Sequence, residues 1–481
     1  MSLRCSLLLL LIVGQLLGCA QNPATGRSDF VLMSEQEELE LGRRYSQEIL
    51  KQYPRYPDEK LQAYVQQVGE RVARHSHRSQ LDYRFTVVDS PDINAFALPG
   101  GYIYIHRGLL AYLNSEAELA AVLGHEVGHV TARHSVQQQS QSSAWNVLGQ
   151  AVAIGTGIGA VGDLTNVLGN AVVRGYGRDM ELEADGLGAQ YLARSGYDPQ
   201  AMIEVVKVLK SQEDFARDQA ATQGQEGRAA SGYHGLFDTH PDNDQRLQQV
   251  LGPAQALATG RQEISRETFL QHLQGLPFGD SAASGVRRGQ QFYHAGLNVT
   301  LAFPNGWDII NRPDALIGRA ADQQAFVVFS LEANPERLSP AKWLAQRVGG
   351  ERLVDGKALS QAGLRGYSAL VAGTPARRVA VLQQGERVYL FIAAVRGHAA
   401  LASRDAEFQQ VIGSLRPLTD AERPLAEPLR LALVRAKAGQ TMADLARQSK
   451  LPGDAEATLR LLNNLYPAGE PSAGSWLKLV R

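Results

Sequence analysis

Two histidines, His125 and His129, stand four residues apart in the segment AVLGHEVGHV, and Glu126 directly follows the first. On an α-helix this spacing places both imidazoles on one face, with Cβ atoms about 5–6 Å apart, where they can ligate one tetrahedral Zn2+. Zinc held there lowers the pKa of a bound water towards roughly 7 and polarises a peptide carbonyl, while Glu126 carries the proton to the leaving amine. Two core histidines on one helix would give the same pattern, so the chemistry requires a third ligand.

The segment RDMELEADGLGAQYLA supplies the candidate third ligand. Position 135 is Ser135, which excludes the metzincin class, and His134 would lie about 140° round a continuing helix, a poor position for a ligand. Glu181 and Asp185 are four residues apart and share a helix face, whereas Glu183 points nearly opposite. We therefore predict that Glu181 is the third ligand and that Asp185 accepts a hydrogen bond from a ligating histidine. A solvated acidic helix face is the alternative.

Predicted helices and strands position these residues. The HExxH motif falls on a helix over about 115–137, in which Gly124 and Gly128 permit close packing, and the acidic pair falls on a helix over about 178–195. LDYRFTVVDS alternates like a strand, and INAFALPGGYIYIHRGLL indicates two strands around a hairpin turn at Pro99. The sequence thus predicts an α+β protein whose metal-binding part is mainly helical with a small sheet.

The segments INAFALPGG, GHEVGHV and ELEAD occur in this order. Together they resemble metallopeptidase family forty-eight, the gluzincin group that includes the HtpX, BepA-type, LoiP-type and mitochondrial Oma proteases. The resemblance covers about residues 22–255 and implies a zincin-like catalytic domain with one Zn2+ per chain. Carried over to this sequence, it implies that His125, His129 and Glu181 are the zinc ligands and that Glu126 is the catalytic base.

Two further segments are similar to the same family. Related enzymes hold an extended substrate backbone on an edge strand, which implies that Asn94 and Ala95 bind substrate through main-chain pairing. A simple turn at Asn94 is the alternative. The segment THPDNDQRL implies that His240 either donates to the tetrahedral oxyanion or occupies the fourth position on zinc, with Arg246 supporting either arrangement. A helix-capping turn is the alternative there.

The N-terminal segment MSLRCSLLLLLIVGQLLGCA indicates a secretory signal over residues 1–18. Its apolar run is too short to cross a bilayer, for which about 20 residues are needed. Cys19 follows a small residue at the expected cleavage point and resembles the lipidated cysteine of a bacterial lipobox. With Ala20 next, the resemblance implies a lipid anchor in the outer membrane of a Gram-negative cell, facing the periplasm. An ordinary signal peptide with a stray cysteine is the alternative.

Composition shifts divide the rest of the chain into regions. We predict a lipid-anchored tether over 19–29, a zinc metallopeptidase domain over 30–275, a linker over 276–290 and a separate α+β domain of unknown role over 291–420. The last region, 428–481, resembles a LysM module with the order strand, helix, helix, strand. Glycan binding and a docking role are both open for that module.

A glycine-rich, apolar stretch covers residues 145–177 and is interrupted by Asp163. Neither half reaches the length of a membrane span. Closely packed helices or a mobile cover over the site are the favoured interpretations, and a membrane hairpin is the alternative.

The composition excludes a nucleic-acid partner, because 48 Lys and Arg residues balance 49 Asp and Glu residues and no basic run is present. The chain is predicted to be a membrane-anchored zinc endopeptidase that faces the periplasm and hydrolyses unfolded or misassembled proteins in outer-membrane quality control. Its expected partners are protein substrates, the membrane through its lipid, and peptidoglycan or the outer-membrane assembly machinery. A peptidoglycan-associated hydrolase and a chaperone or assembly factor with little proteolysis are the alternatives.

Overall fold

The computed structural model combines α-helices with β-strands, in agreement with the predicted α+β class. It divides into two compact units: the residues up to Phe278 together with Arg430–Arg481 form the first unit, and Gly279–Leu429 form the second. The predicted signal peptide, the glycine-rich stretch before residue 176 and His240 lie outside the described residues. The structure describes residues 19–141, 176–222, 246, 249, 257, 263–373, 376–396 and 401–481.

Capping side chains mark where the helices begin and end. Ser34 and Glu37 form a capping box at the start of the first helix, and Asp58 caps the second. Gly196, with a φ of 83°, ends the helix that carries the predicted acidic pair. Among the described residues, no helix is long and apolar enough to cross a membrane. In chain order the helices are α1 Glu35–Gln52, α2 Glu59–Ala73, α3 Arg107–Tyr112, α4 Glu116–Thr131, α5 Arg178–Ser195, α6 Ala201–Thr222, α7 Arg266–His272, α8 Pro340–Arg347, α9 Asp405–Gly413, α10 Met442–Ala446 and α11 Ala455–Leu462.

The strands of the described chain form five sheets. The smallest is an antiparallel hairpin over residues 19–30, where the sequence predicts a tether. In chain order the strands are β1 Cys19–Gln21, β2 Ser28–Phe30, β3 Arg84–Val88, β4 Ala95–Leu98, β5 Tyr102–His106, β6 Pro277–Phe278, β7 Val286–Arg288, β8 Gln291–His294, β9 Val299–Ala302, β10 Asp308–Asn311, β11 Ala315–Arg319, β12 Ala325–Ala333, β13 Leu353–Gln361, β14 Leu364–Val371, β15 Arg377–Gln384, β16 Arg387–Val395, β17 Leu429–Arg435 and β18 Trp476–Val480.

A three-stranded sheet in the order β3-β5-β4 lies in the first unit. β4 and β5 are antiparallel and are joined by the turn Pro99–Gly101, while β3 pairs parallel with β5. Gly100 has a φ of 78°, a conformation that favours glycine. The predicted hairpin around Pro99 is therefore confirmed, and β4 is an edge strand of this sheet.

The second unit is built on a seven-stranded antiparallel sheet in the order β10-β11-β12-β16-β15-β14-β13. Side chains alternate between its two faces, as in any strand. Phe391 of β16 belongs to the core that includes Phe408 of α9, whereas its neighbour Leu390 packs with Trp343 of α8. The sequence predicts strands over 298–303, 324–331 and 387–395 and a helix near 341–348, and the structure confirms them as β9, β12, β16 and α8. The single strand predicted over 369–382 is wrong, because this stretch contains the end of β14 and most of β15. The stretch predicted as a linker contains β6 and β7.

The C-terminal residues 430–481 contain most of β17 and then α10, α11 and β18, the order that the sequence predicts. β17 pairs antiparallel with β18 and lies between β18 and β6. The backbone N–H of Leu431 donates to the carbonyl of Leu276 at 2.8 Å. These residues belong to the first unit, whereas the sequence assigns them to a module of their own.

Lys478 of β18 connects the C-terminal residues to the segment just before α4. Its side chain is 1% exposed, and Nζ donates to the carbonyl oxygens of Ala111 and Leu113, each at 2.7 Å. Arg266 adds a hydrogen bond of 3.0 Å to the carbonyl of Asn114. Because α4 begins directly after this segment, these bonds fix where the helix starts.

Replacing Lys478 by methionine should lower the free energy of unfolding of the first unit by roughly 2–5 kcal/mol, because two buried carbonyl groups lose their donor. Calorimetry on the full-length protein measures the change. Lys437→Met, at an exposed lysine of the same region, is the matched control and should change stability little. Equal stability of the two variants would contradict the role assigned to Lys478.

Candidate metal centre

The first turn of α4 is held in place by hydrogen bonds. Ser115 caps the helix by accepting from the backbone N–H of Glu118. The carboxylate of Glu116 accepts from the hydroxyl groups of Tyr64 at 2.7 Å and Tyr197 at 2.6 Å. Burial and the contact with Glu116 raise the pKa of both tyrosines, so both remain neutral donors. The position and rotation of α4 are therefore fixed before the histidines are reached.

α4 packs closely against α5 at glycine residues. A Cβ atom at Gly128 would lie 2.9 Å from the carbonyl oxygen of Ala184, and one at Gly188 would lie 3.0 Å from the backbone nitrogen of His125. These distances leave no room for a methyl group unless the helices move apart. The close packing predicted at Gly128 is confirmed, and it lets side chains of the two helices meet.

His125, His129 and Glu181 converge between α4 and α5, with one ligand atom from each within 4.8 Å of the others. The two Nε2 atoms are 2.9 Å apart. Oε2 of Glu181 lies 3.4 Å from Nε2 of His125, and Oε1 lies 3.5 Å from Nε2 of His129. A tetrahedral zinc ion with bonds of about 2.0–2.2 Å separates its ligands by roughly 3.3–3.6 Å. Each histidine nitrogen lies at such a separation from one oxygen of the Glu181 carboxylate, a different oxygen for each histidine. The two nitrogens would need to part by about 0.4 Å. Two imidazoles and a carboxylate are a donor set that fits zinc, and these three side chains would hold the ion with a fourth position left for water or substrate.

Asp185 and Arg246 support His125 on the side away from this convergence. Nδ1 of His125 lies 2.8 Å from Oδ1 of Asp185, and Arg246 donates to both Asp185 oxygens at 2.8 Å and 2.7 Å. Burial would raise the pKa of Asp185, but Arg246 and His125 hold it well below its usual range. Burial lowers the pKa of His125, yet Asp185 and Glu181 outweigh it and raise that pKa to about 9. Asp185 thus has the predicted contact, and Arg246 is paired with Asp185.

His129 is flanked by two aromatic side chains. Nδ1 of His134 lies 2.8 Å from Nδ1 of His129. The ring of Tyr176 stacks on that of His129, with centroids 3.9 Å apart and 19° between the planes. The Tyr176 hydroxyl lies 2.6 Å from Oγ of Ser135. Because His134 contacts the Nδ1 side of His129, it faces away from the Nε2 atoms that meet at the centre.

The helical conformation is interrupted directly after α4. The helix ends at Thr131, and Arg133 has a φ of 58°, which few residues other than glycine adopt. The Arg133 guanidinium donates to Glu38 at 2.7 Å and stabilises this turn. The predicted single helix over 115–137 is wrong at this point, because residues 134–141 are a separate helical segment. After this interruption the next histidine, His134, lies against His129.

The remaining predicted site residues are the catalytic base Glu126, the substrate-binding residues Asn94 and Ala95, and His240. Glu126 is buried, and its carboxylate adds to burial in raising the pKa of Tyr176. Ala95 begins the edge strand β4, and the carbonyl of Asn94 accepts from the backbone N–H of His106 at 2.9 Å. The role of His240 stays a prediction, since it lies outside the described residues.

Three residues near the site were not predicted to belong to it: His134, Tyr176 and Glu183. Glu183 projects from α5 towards Nε2 of His134, at 3.9 Å. No local signal marks Tyr176, which is the last residue but one of the glycine-rich stretch. His134 follows a turn at Arg133, and arginine is not a residue type that predicts a turn.

A buried His-His-Glu cluster on two packed helices, with a glutamate next to the first histidine, is the arrangement of the metallopeptidase class. Residues 59–254 match the model for Peptidase family M48. The chain therefore contains a domain of peptidase family M48.

Relatives include the beta-barrel assembly-enhancing protease of Escherichia coli (strain K12), 31% identical over 203 residues that make up 40% of this chain and 42% of that protein. The protein of the same name from Yersinia pestis is 32% identical over 202 residues, 40% of this chain and 42% of that one. The mitochondrial metalloendopeptidase OMA1 of Arabidopsis thaliana is 38% identical over 138 residues, 28% of each chain. The match thus spans less than half the length of each of these relatives.

Solved structures similar to the chain include the cyanobacterial PsbP protein of Synechocystis sp. PCC 6803. It is 13% identical, with a TM-score of 0.22, and the match covers 28% of this chain and 96% of that one. A TM-score this low does not define the fold.

Gly128→Ala should weaken zinc binding and lower the free energy of unfolding by about 1–3 kcal/mol, because the new methyl group would force α4 away from Ala184. Chelator competition and thermal unfolding measure the two effects. Gly186→Ala on α5 is the matched control, since its Cβ would meet nothing within 4 Å. That control should leave zinc binding intact and stabilise the helix by up to about 1 kcal/mol. Similar behaviour of both variants would show that the α4–α5 contact does not set the metal site.

Proposed function

We propose that the chain is a zinc metalloendopeptidase. The observation that carries this proposal is the buried convergence of His125, His129 and Glu181 at separations close to those around a tetrahedral zinc ion. The M48 family domain and the names of the relatives support the same reaction class.

The charge balance of the site also favours a divalent cation. Glu126, Glu181 and Asp185 are buried carboxyl groups, and Arg246 is a buried cation that lies 3.4 Å from Glu181 and 2.7 Å from Asp185. Buried charge is costly unless an opposite charge compensates it. When His125 and His129 are neutral, as metal ligation requires, three carboxyl groups against one guanidinium leave an excess of negative charge that a dication offsets.

The side chains have separate tasks in the proposed reaction. Bound zinc would polarise the scissile carbonyl and lower the pKa of a water molecule in its open position. Glu126 would accept the proton of the attacking water and pass it to the leaving nitrogen. Asp185 would hold His125 as the tautomer whose Nε2 carries a free lone pair. His240 would stabilise the oxyanion or occupy the fourth zinc position, a proposal supported by the THPDNDQRL segment.

Extended, unfolded polypeptide is the substrate class that we propose. β4 is a sheet edge packed against α4, and Asn94 and Ala95 at its start would pair with the substrate main chain. Such pairing requires an extended segment but little side-chain identity, which favours unfolded or misassembled proteins. The relatives named beta-barrel assembly-enhancing protease support a role in outer-membrane quality control, with the assembly machinery as a partner.

We further propose that Cys19 is lipidated after removal of residues 1–18 and anchors the protein in the outer membrane, facing the periplasm. The lipobox-like sequence before Cys19 supports this location. A LysM-like identity is proposed for residues 428–481 on the order β17, α10, α11, β18, with peptidoglycan as its candidate ligand.

Glu126→Gln should abolish cleavage of unfolded casein, with a loss of about 10²–10⁴-fold, while zinc content stays at one per chain. The amide cannot accept the proton, but the three ligands are unchanged. Cleavage assays and metal analysis on the same preparation measure both. Glu48→Gln, at an exposed position on α1, is the control and should cleave normally. Digestion of purified sacculi by the wild type, with casein untouched, would instead establish the peptidoglycan hydrolase.

Cys19→Ser should move the protein from the membrane fraction to the soluble envelope fraction, because a serine cannot carry the thioether-linked lipid. Fractionation with immunodetection measures the shift. Cys5→Ser is the matched control, since this cysteine lies inside the predicted signal peptide and should not affect anchoring. Unchanged membrane association of the Cys19 variant would exclude the proposed anchor.

A further inference from the structure

The N-terminal hairpin holds a carboxylate next to the metal centre. Nη2 of Arg27 donates to one oxygen of Glu183 at 2.7 Å, and Nδ2 of Asn22 lies 3.2 Å from the other. Nδ2 of Asn22 also donates to Asp29 at 2.8 Å, which fixes its direction. The Glu183 side chain is 15% exposed, so the carboxylate is largely enclosed between the hairpin and α5.

His134 lies between this carboxylate and the metal ligand His129. Its Nδ1 is 2.8 Å from Nδ1 of His129, and its Nε2 is 3.9 Å from Oε2 of Glu183. The His134 side chain is 1% exposed. Each of its ring nitrogens therefore faces a different partner: an imidazole on one side and a carboxylate on the other.

The direction of the hydrogen bonds follows from the requirement for metal binding. His129 can ligate a metal through Nε2 only if that atom has a free lone pair, so the neutral ring carries its hydrogen on Nδ1. That hydrogen points at Nδ1 of His134, which must accept it. His134 then carries its own hydrogen on Nε2, directed towards Glu183, whose negative charge favours this tautomer.

The stacked ring of Tyr176 cannot replace this arrangement. Stacking at 3.9 Å fixes the plane of the His129 ring, but it does not decide which nitrogen carries the hydrogen. The hydrogen bond to His134 decides that, as the contact with Asp185 does for His125.

We infer that His134 is a positioning residue for the metal ligand His129, with Glu183 and the N-terminal hairpin fixing its tautomer. The inference rests on the proposed zinc site and extends its support to a histidine outside the HExxH motif. The two ligand histidines are thereby supported differently: Asp185 contacts His125 directly, whereas a neutral imidazole separates His129 from its carboxylate.

The test measures the zinc dissociation constant by competition with a chromophoric chelator, on the full-length protein. His134→Leu removes the acceptor and should weaken zinc binding by about 10–100-fold. His134→Asn should bind within about threefold of the wild type, because Oδ1 of asparagine can take the place of Nδ1. The zinc dissociation constant of Glu183→Gln should lie between those of the two His134 variants. Asp179 is an exposed acidic residue on the same helix, and Asp179→Asn should bind zinc as tightly as the wild type.

Thermal unfolding and circular dichroism of the metal-free variants report whether each one folds. Zinc affinity of folded His134→Leu equal to that of the wild type would overturn the inference. Equal weakening in folded His134→Leu and His134→Asn would also overturn it, because packing alone would then explain the loss. Failure of the wild type itself to bind zinc would remove the proposed function, and the inference with it.

Discussion

The backbones of α4 and α5 meet so closely that a Cβ atom at Gly128 would lie 2.9 Å from the carbonyl of Ala184. Two candidate ligands come from α4 and the third comes from α5, so the distance between these helices sets the distance between the candidate ligands. A wider separation would keep these three buried polar side chains apart, and burying a polar group without a partner is costly. The remaining contacts of the site depend on this approach.

Each ligand has its own support once the helices have met. Asp185, itself held by Arg246, fixes His125, and Tyr176 and His134 enclose His129. In the low dielectric of a buried site such oriented groups need no reorganisation when a charged ligand arrives. The geometry therefore favours a rigid, preformed metal centre. Such rigidity agrees with the proposed peptide hydrolysis, which relies on the positions of a few polar groups.

Segments distant in the sequence brace the two ends of α4. Lys478 of β18 donates to carbonyls just before the helix, and the hairpin that contains Arg27 reaches the region just after it through Glu183. A site centred on residues 125–181 thus depends on both ends of the described chain. The C-terminal residues thus contribute contacts that stabilise the first unit.

Local patterns in the sequence determined which side chains of the site share a helix face. His125 and His129 are four residues apart, as are Glu181 and Asp185, and with 3.6 residues per turn each pair lies on one face. Alternation and turn residues likewise determined the hairpin of β4 and β5. The tertiary structure alone decided that α4 ends before Arg133 and that His134 therefore lies against His129. It also decided that Lys478 is buried against the segment before α4. These outcomes depend on contacts between residues far apart in the chain, such as Arg133 with Glu38, and the spacing of residue types does not encode such contacts.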